Sequence, residues 1–229
     1  MGYLSICVNL DDRRCVVVGG GEVAERKVAA LLEGGARVCV ISPTLTAELH
    51  RLASINAVEH LAREWKSGDL GDCLLAFAAT DDPELHGAIA REARALRIPV
   101  NVADEPELCD FIMPSVLRRG DLQIAISTSG ASPALASRIR RDLQVMVGPE
   151  YETVTQIMRA ARTYLRKWQH DSRERARILR ALAVSDIAEH VRRADWDTID
   201  RLLHQHLGAG LDTLRINLRR PAGELSRGS

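Results

Sequence analysis

Apolar and polar positions along this chain change period several times, and each change marks an element. Arg14-Cys15-Val16-Val17-Val18 is a short apolar run that ends in Gly19-Gly20-Gly21. β-Branched residues ahead of glycines predict a buried strand and a tight turn. Val23, Ala24, Val28, Leu31 and Leu32 then recur at helical spacing until Gly34-Gly35 stops them, and Arg37 to Ile41 is a second β-branched run. Cys73 to Ala79 is continuously apolar and closes in Thr80-Asp81-Asp82-Pro83, the pattern of a buried parallel strand before an Asp-capped helix with proline at its first position. That helix is expected to reach about Leu96, with a strand from Ile98 to Ala103 after it. Such alternation implies an α/β fold with a Rossmann-like, doubly wound parallel sheet.

After Asp104 the period changes again. Phe111 to Leu117 and Leu122 to Ser127, joined by Arg118-Arg119-Gly120-Asp121, read as a β-hairpin. The hydroxyl- and glycine-rich loop Ser127-Thr128-Ser129-Gly130-Ala131-Ser132 follows, and Ser132-Pro133 caps a helix expected to run to about Val147. From Pro149 onward strand signals mostly vanish. Ile178, Leu179, Leu182, Ile187 and Val191, then Ile199, Leu202, Leu203 and Leu207, lie at helical spacing, with Asp186 and Glu189 as a capping pair. The expected organisation is a nucleotide-binding domain over 1–112, a hairpin and helix over 113–148, a helical domain over 149–218 and a flexible polar tail over 219–229.

With 229 residues, 46% of them hydrophobic, the chain has ample apolar surface for such cores. Lys plus Arg and Asp plus Glu each number 31, so the formal net charge is zero and nothing global favours nucleic acid or an anionic membrane. No apolar run approaches the roughly 18 residues of a membrane span, and the N-terminus lacks a basic stretch ahead of an apolar segment. A soluble, cytoplasmic protein is expected. Cys7, Cys15, Cys39, Cys73 and Cys109 show no C-x-x-C spacing, which argues against zinc or a disulfide framework and for small buried residues in a reducing compartment. His50, His60, His86, His170, His190, His204 and His206 are scattered, and the last two, two apart on a helix, face different ways. No metal site is expected.

The candidate chemistry begins at the glycines. Gly19, Gly21 and Ala24 fit the G-x-G-x-x-G/A turn, in which absent side chains let backbone approach a pyrophosphate at a helix N-terminus. Gly19, Gly21, Glu22 and Val23 are therefore candidate cofactor contacts, together with Ser42, Pro43, Thr44 and Thr80 at the ends of later strands. The acidic residue that often binds the ribose of NAD is replaced by Ser42-Pro43-Thr44, so the fingerprint leaves NAD and NADP both open. Asp104, at the end of the last expected strand, is placed to accept a proton accompanying hydride transfer, although an Asp before Glu-Pro is also an ordinary turn residue. Ser127, Thr128, Ser129 and Gly130 have the composition of an anion-binding nest. Arg138 and Arg141, at i,i+3 spacing on the next helix, and Arg118 and Arg119 on the hairpin turn are candidate partners for carboxylates, or simply solvated cations.

Taken together, Val18-Gly19-Gly20-Gly21-Glu22-Val23-Ala24-Glu25-Arg26-Lys27, Ala78-Ala79-Thr80-Asp81-Asp82, Asn101-Val102-Ala103-Asp104, Phe111-Ile112-Met113-Pro114-Ser115 and Ser127-Thr128-Ser129-Gly130-Ala131-Ser132-Pro133 occur in one order and spacing. The chain thereby resembles the precorrin-2 dehydrogenase/sirohydrochlorin ferrochelatase module of siroheme synthases, in a free-standing form without the methyltransferase domain. The resemblance implies oxidation of precorrin-2 to sirohydrochlorin with NAD, Asp104 as the functional aspartate, a homodimer, and in some members insertion of ferrous iron to give siroheme. Thr128 stands where close relatives can carry serine. The alternatives are a dehydrogenase served by a separate chelatase, or a dinucleotide-sensing regulatory module, which would need neither Asp104 nor the Ser127 to Ser132 loop. A general small-molecule dehydrogenase would be expected to show a Tyr-x-x-x-Lys pair or a catalytic histidine near the sheet, and neither stands out in the first domain.

Overall fold

A computed structural model describes residues 2–216, so the expected tail lies outside the described residues. The described residues form two compact units, one of residues 2–113 with 129–131 and the other of 114–128 with 132–216.

The first unit is built on a five-stranded parallel sheet. Its elements are β1 (Arg14–Val18), α1 (Glu22–Glu33), β2 (Arg37–Ile41), α2 (Ala47–Ser54), β3 (Glu59–Leu61), β4 (Leu75–Ala78), α3 (Pro83–Leu96), β5 (Val100–Val102) and a 3-10 turn at Pro106–Leu108. The strand order β3-β2-β1-β4-β5 places β1 at the centre. Alternate residues face opposite ways. Val16, Val18, Ile41, Ala78 and Val102 meet Ile89, Ala90 and Ala93 of α3, whereas Cys15, Val17, Val40 and Phe77 meet Ala24, Val28 and Leu31 of α1 and Leu49 of α2. Helices on both faces make the sheet doubly wound.

The register fixes where a ligand can sit. Val18 lies opposite Ile41 and Ala78, Ile41 opposite Leu61, and Ala78 opposite Val102. The strands thus end in one row, and the turns beginning at Gly19, Ser42, Ala79 and Ala103 emerge at one edge. Two strands are shorter than their apolar runs, because Cys73 and Ile98 are buried in the connections rather than in the ladder. The pattern also passed over α2 and β3. α2 starts where the Thr46 hydroxyl accepts from Leu49 N at 3.2 Å, and β3 is a three-residue edge strand, Glu-His-Leu, with almost no apolar signal.

The second unit contains an antiparallel hairpin, β6 (Ser115–Arg119) and β7 (Leu122–Ile126), turned at Gly120 with φ of 55°. The strand expected from Phe111 begins only at Ser115. Phe111 instead packs edge-on against Phe77, with ring centroids 5.4 Å apart. α4 (Pro133–Met146) follows, with the Ser132 hydroxyl accepting from Leu135 N at 3.2 Å as its cap. The remaining helices are α5 (Glu150–Trp168), α6 (Ser172–Ala183), α7 (Ile187–Arg192), α8 (Trp196–Leu207) and α9 (Leu211–Leu214). Ile157, Ala161, Leu182, Ile187, Ile199 and Leu203 form their core. The expected Asp186 and Glu189 capping pair is not formed. Asp186 occupies the N-cap position without a side-chain bond, and Glu189 is drawn away to Arg192 and Arg193.

One ion pair in this unit carries a stability prediction. Glu150, 7% exposed, accepts from Arg192 Nη2 at 2.6 Å. Burial alone would raise its carboxyl, but the Arg192 hydrogen bond, the backbone amide and the charges of Arg192 and Arg119 together hold it below the usual carboxylate range. The stabilisation is therefore present above the unfolded glutamate value near pH 4.3 and is lost as pH falls through the depressed folded value. Arg192→Ala should lower the melting temperature at pH 7, because it leaves the buried Glu150 carboxylate without its cation. Thermal melts should show the difference between wild type and variant shrinking below about pH 4. A constant difference from pH 7 to pH 3 would mean that packing, not charge, accounts for it.

Candidate active site

The glycine turn is built by three different constraints. Gly19 has φ of 121°, and a Cβ there would lie 2.1 Å from the Ala79 carbonyl oxygen. Only glycine can pass between β1 and the end of β4. A Cβ on Gly20 would meet the Thr44 carbonyl oxygen at 1.9 Å, so the segment after β2 closes directly over this residue. Gly20 was not among the fingerprint positions, although a third consecutive glycine was the available signal. At Gly21 a Cβ would meet nothing within 4 Å, and the residue is exposed. This is the one glycine of the three whose missing side chain leaves room for something outside the chain.

Behind that opening stands the N-terminus of α1, capped by Gly21 with no side-chain bond. Its leading amides and dipole suit an anion. Glu25, which would oppose one, accepts from the Thr46 hydroxyl at 2.6 Å, and Ala24 is fully buried so that the helix packs closely on the sheet. These residues fit a dinucleotide pyrophosphate. Ser42 is less available than its composition suggested, because it is buried and its hydroxyl donates to the Thr44 carbonyl at 2.7 Å. Pro43 and Thr44 are exposed beside it. The Thr80 hydroxyl accepts from Asp82 N at 3.4 Å, and Asp82 caps α3 by accepting from Glu84 N and Leu85 N.

Asp104 lies two residues beyond β5. It is exposed and adopts φ of 58°, a conformation that non-glycine residues keep only where the surroundings impose it. The segment after it folds back along the free edge of β5. Asp110 Oδ2 accepts from Val100 N at 3.0 Å, and Cys109 Sγ accepts from Val102 N at 3.1 Å while lying 3.2 Å from the Val102 carbonyl oxygen. The edge strand is thereby closed to further pairing, and Cys109 acts as a polar staple.

A lysine that the pattern did not single out joins this region. Lys27 Nζ donates to Asn101 Oδ1 at 2.6 Å and lies 5.7 Å from the Phe77 ring centroid. Asn101, 6% exposed in the middle of β5, donates in turn to the Phe111 carbonyl at 3.0 Å. Burial pushes the Lys27 ammonium below the ordinary lysine range, opposed by charge on Cys109 and Asp104 and aided by Arg26. A half-buried amine with a lowered pKa at the carboxyl edge of a parallel sheet is a mark of a functional site. The available signal was helical phase, since Lys27 falls on the stripe of Ala24, Val28 and Leu31.

A histidine does stand near the sheet end: His86 is 5% exposed on α3, on the same face as Ile89, Ala90 and Ala93. Both of its ring nitrogens are engaged within the protein, Nε2 with the Thr80 carbonyl at 2.9 Å and Nδ1 with Glu105 Oε1 at 2.7 Å.

The substrate-side candidates lie in and around the loop after β7. Thr128 Oγ1 accepts from Ser132 N at 2.9 Å, and Ser129 and Gly130 adopt φ of 52° and 85°. Arg138 and Arg141 are exposed on α4, with Arg138 3.9 Å from Asp142. Arg119, by contrast, is structural: its guanidinium donates to the carbonyls of Val147 and Arg118. Among the described residues no group of three or more His, Cys, Asp or Glu could hold a metal, and no helix is long and apolar enough to cross a membrane.

Residues 6–115 match the family NAD_binding_7, described as NAD(P)-binding, and residues 119–146 match the central domain of sirohaem biosynthesis proteins. A siroheme synthase of Thioalkalivibrio sulfidiphilus is 37% identical over 213 residues, 93% of this chain and 44% of that protein. One of Methylobacillus flagellatus is 44% identical over 151 residues, 66% of this chain and 32% of that protein. The chain spans less than half the length of these relatives. A solved structure of SirC, a precorrin-2 dehydrogenase, shares the fold with a TM-score of 0.69 at 24% identity, covering 89% of this chain and 98% of that one.

Proposed function

Because the chain belongs to the family that carries the NAD(P)-binding and central segments of siroheme synthases, we propose that it oxidises precorrin-2 to sirohydrochlorin with NAD. The observation that carries this reading is the pairing of an open Gly21 turn with an exposed, left-handed Asp104 at the same edge of one sheet. Gly21, Glu22 and Val23 hold the pyrophosphate through backbone amides, Gly19, whose own amide donates to the Ile41 carbonyl, makes the turn that brings them there, and Pro43, Thr44 and Thr80 line the remainder of the nucleotide site. The bound nicotinamide supplies a hydride acceptor. Asp104 accepts the proton that leaves with the hydride, with the Lys27 ammonium close enough to feel its charge. Thr128, with Ser127, Ser129 and Gly130, and the arginines Arg138 and Arg141 bind carboxylates of the substrate. NAD rather than NADP is the preferred cofactor, because no cation follows β2 directly to meet a ribose phosphate. Titration of the protein with each nucleotide tests the choice: tighter binding of NADP would reverse it.

Insertion of ferrous iron into sirohydrochlorin is the second activity at the same carboxylate. Asp104 is open to solvent and can take pyrrole protons as metal enters, and the macrocycle supplies the metal ligands itself. Iron insertion measured anaerobically without NAD should survive Gly21→Asp and fall in Asp104→Asn. A rate no faster than the protein-free control would leave a dehydrogenase that depends on a separate chelatase.

The active form is a homodimer. α4 exposes Leu135, Ile139, Val145 and Met146, the last two 88% and 72% exposed, and a monomer gains nothing by leaving them in water. Light scattering should give twice the 25.2 kDa chain mass at micromolar concentration. A single-chain mass would contradict it.

A further inference from the structure

We propose that His86 is a positioning residue, a buried strut that ties the turn carrying Asp104 to the turn after β4 and so sets the direction of the Asp104 carboxylate. The proposal rests on the reading of Asp104 as the proton acceptor.

Asp104 needs such support. Among the described residues no side-chain hydrogen bond orients its carboxylate, so its direction is inherited from the backbone on either side. On one side the anchor is the ladder, where Ala103 N donates to the Ala78 carbonyl at 2.9 Å. On the other side it is Glu105, whose carboxylate meets His86 Nδ1 at 2.7 Å. Between the two anchors lies the left-handed residue itself. The Glu105 carbonyl is also held, by Leu108 N at 3.1 Å and Cys109 Sγ at 3.4 Å, so what the second anchor adds is a tie from this turn to α3 and the Thr80 turn, and its loss lets the left-handed residue relax toward commoner backbone angles and carry the carboxylate away.

The geometry of the strut is specific. Nε2 meets the Thr80 carbonyl at 2.9 Å and Nδ1 meets the Glu105 carboxylate at 2.7 Å, so the two ring nitrogens engage oxygens on two different turns. One rigid planar ring thereby bridges the two turns from opposite edges. The residue is 5% exposed on α3, which removes it from the reactants and leaves it a mechanical role. Glu105, at 35% side-chain exposure, is the accessible end of the pair.

The test compares His86→Phe, Glu105→Ala, Glu105→Gln and the double variant His86→Phe/Glu105→Ala with wild type and Asp104→Asn, using precorrin-2 and NAD. His86→Phe and Glu105→Ala should each lower kcat about tenfold or more, the scale of a misplaced catalytic group, while KM for precorrin-2 and Kd for NAD change by less than about twofold. Glu105→Gln, which keeps an acceptor for Nδ1, should recover most of the rate lost in Glu105→Ala. The double variant should be no slower than the slower single, because both remove one strut. A kcat within twofold of wild type in Glu105→Ala, or losses that multiply in the double variant, would overturn the proposal while leaving Asp104 in its role if Asp104→Asn is still crippled. Unimpaired Asp104→Asn would overturn both. If His86→Phe does not fold, Glu105→Ala and its glutamine counterpart decide alone, since the partly exposed Glu105 should shift Tm by no more than about 3 °C.

Discussion

Asp104→Asn should reduce dehydrogenation by at least about a hundredfold, the lower range for losing a positioned acid or base. Cofactor affinity should stay nearly unchanged, because the glycine turn and α1 are untouched. The fold should also persist. Asp104 is exposed, and asparagine tolerates the left-handed conformation as well as aspartate does. Stopped-flow measurement of the first turnover separates this from a binding defect: a loss confined to KM would make the carboxylate a substrate contact rather than a proton acceptor.

Gly21→Asp should abolish cofactor binding in a folded protein, and Gly19→Ala should do the opposite, damaging the fold itself. The two glycines lie two residues apart but differ in what surrounds them. Space beside Gly21 is open, with its φ of −87° accessible to any residue, so an aspartate is accommodated and places its charge where the pyrophosphate belongs. At Gly19 even one methyl group meets a carbonyl oxygen at 2.1 Å, in a backbone conformation that side chains disfavour. Strain and overpacking there should cost roughly 3 kcal/mol or more. Circular dichroism melts and nucleotide titration of both variants read the contrast. Full cofactor affinity in Gly21→Asp would remove the glycine turn from the site.

The parts of this fold that were legible share one property: local chemistry dictated them. β1, the glycine turn, α1 and β2 follow from an apolar run, glycines and helical spacing within about thirty residues, and Asp82-Pro83 announces α3 by its capping chemistry. The parts that were not legible depend on neighbours distant in the chain. β3 is short and half polar, so its existence is decided by the exposed edge of β2 rather than by its own residues. Lys27 and His86 sit on helix faces that read as core, and only the sheet register shows that those faces end beside Asn101 and Thr80. Asn101 was visible within a motif, yet its link between Lys27 and the Phe111 carbonyl required the folded-back segment after β5. The capping pair at Asp186 failed for a related reason, since two arginines downstream compete for Glu189.

The central claim is that one sheet edge presents a dinucleotide turn and a proton-accepting carboxylate to precorrin-2. Its most direct test is to mix the wild-type protein anaerobically with precorrin-2 and NAD and to follow NADH and sirohydrochlorin by absorbance. The account predicts one NADH formed per sirohydrochlorin, at a rate proportional to protein and lost in both Gly21→Asp and Asp104→Asn. Folded wild-type protein that binds NAD but yields neither product above the protein-free control would contradict it.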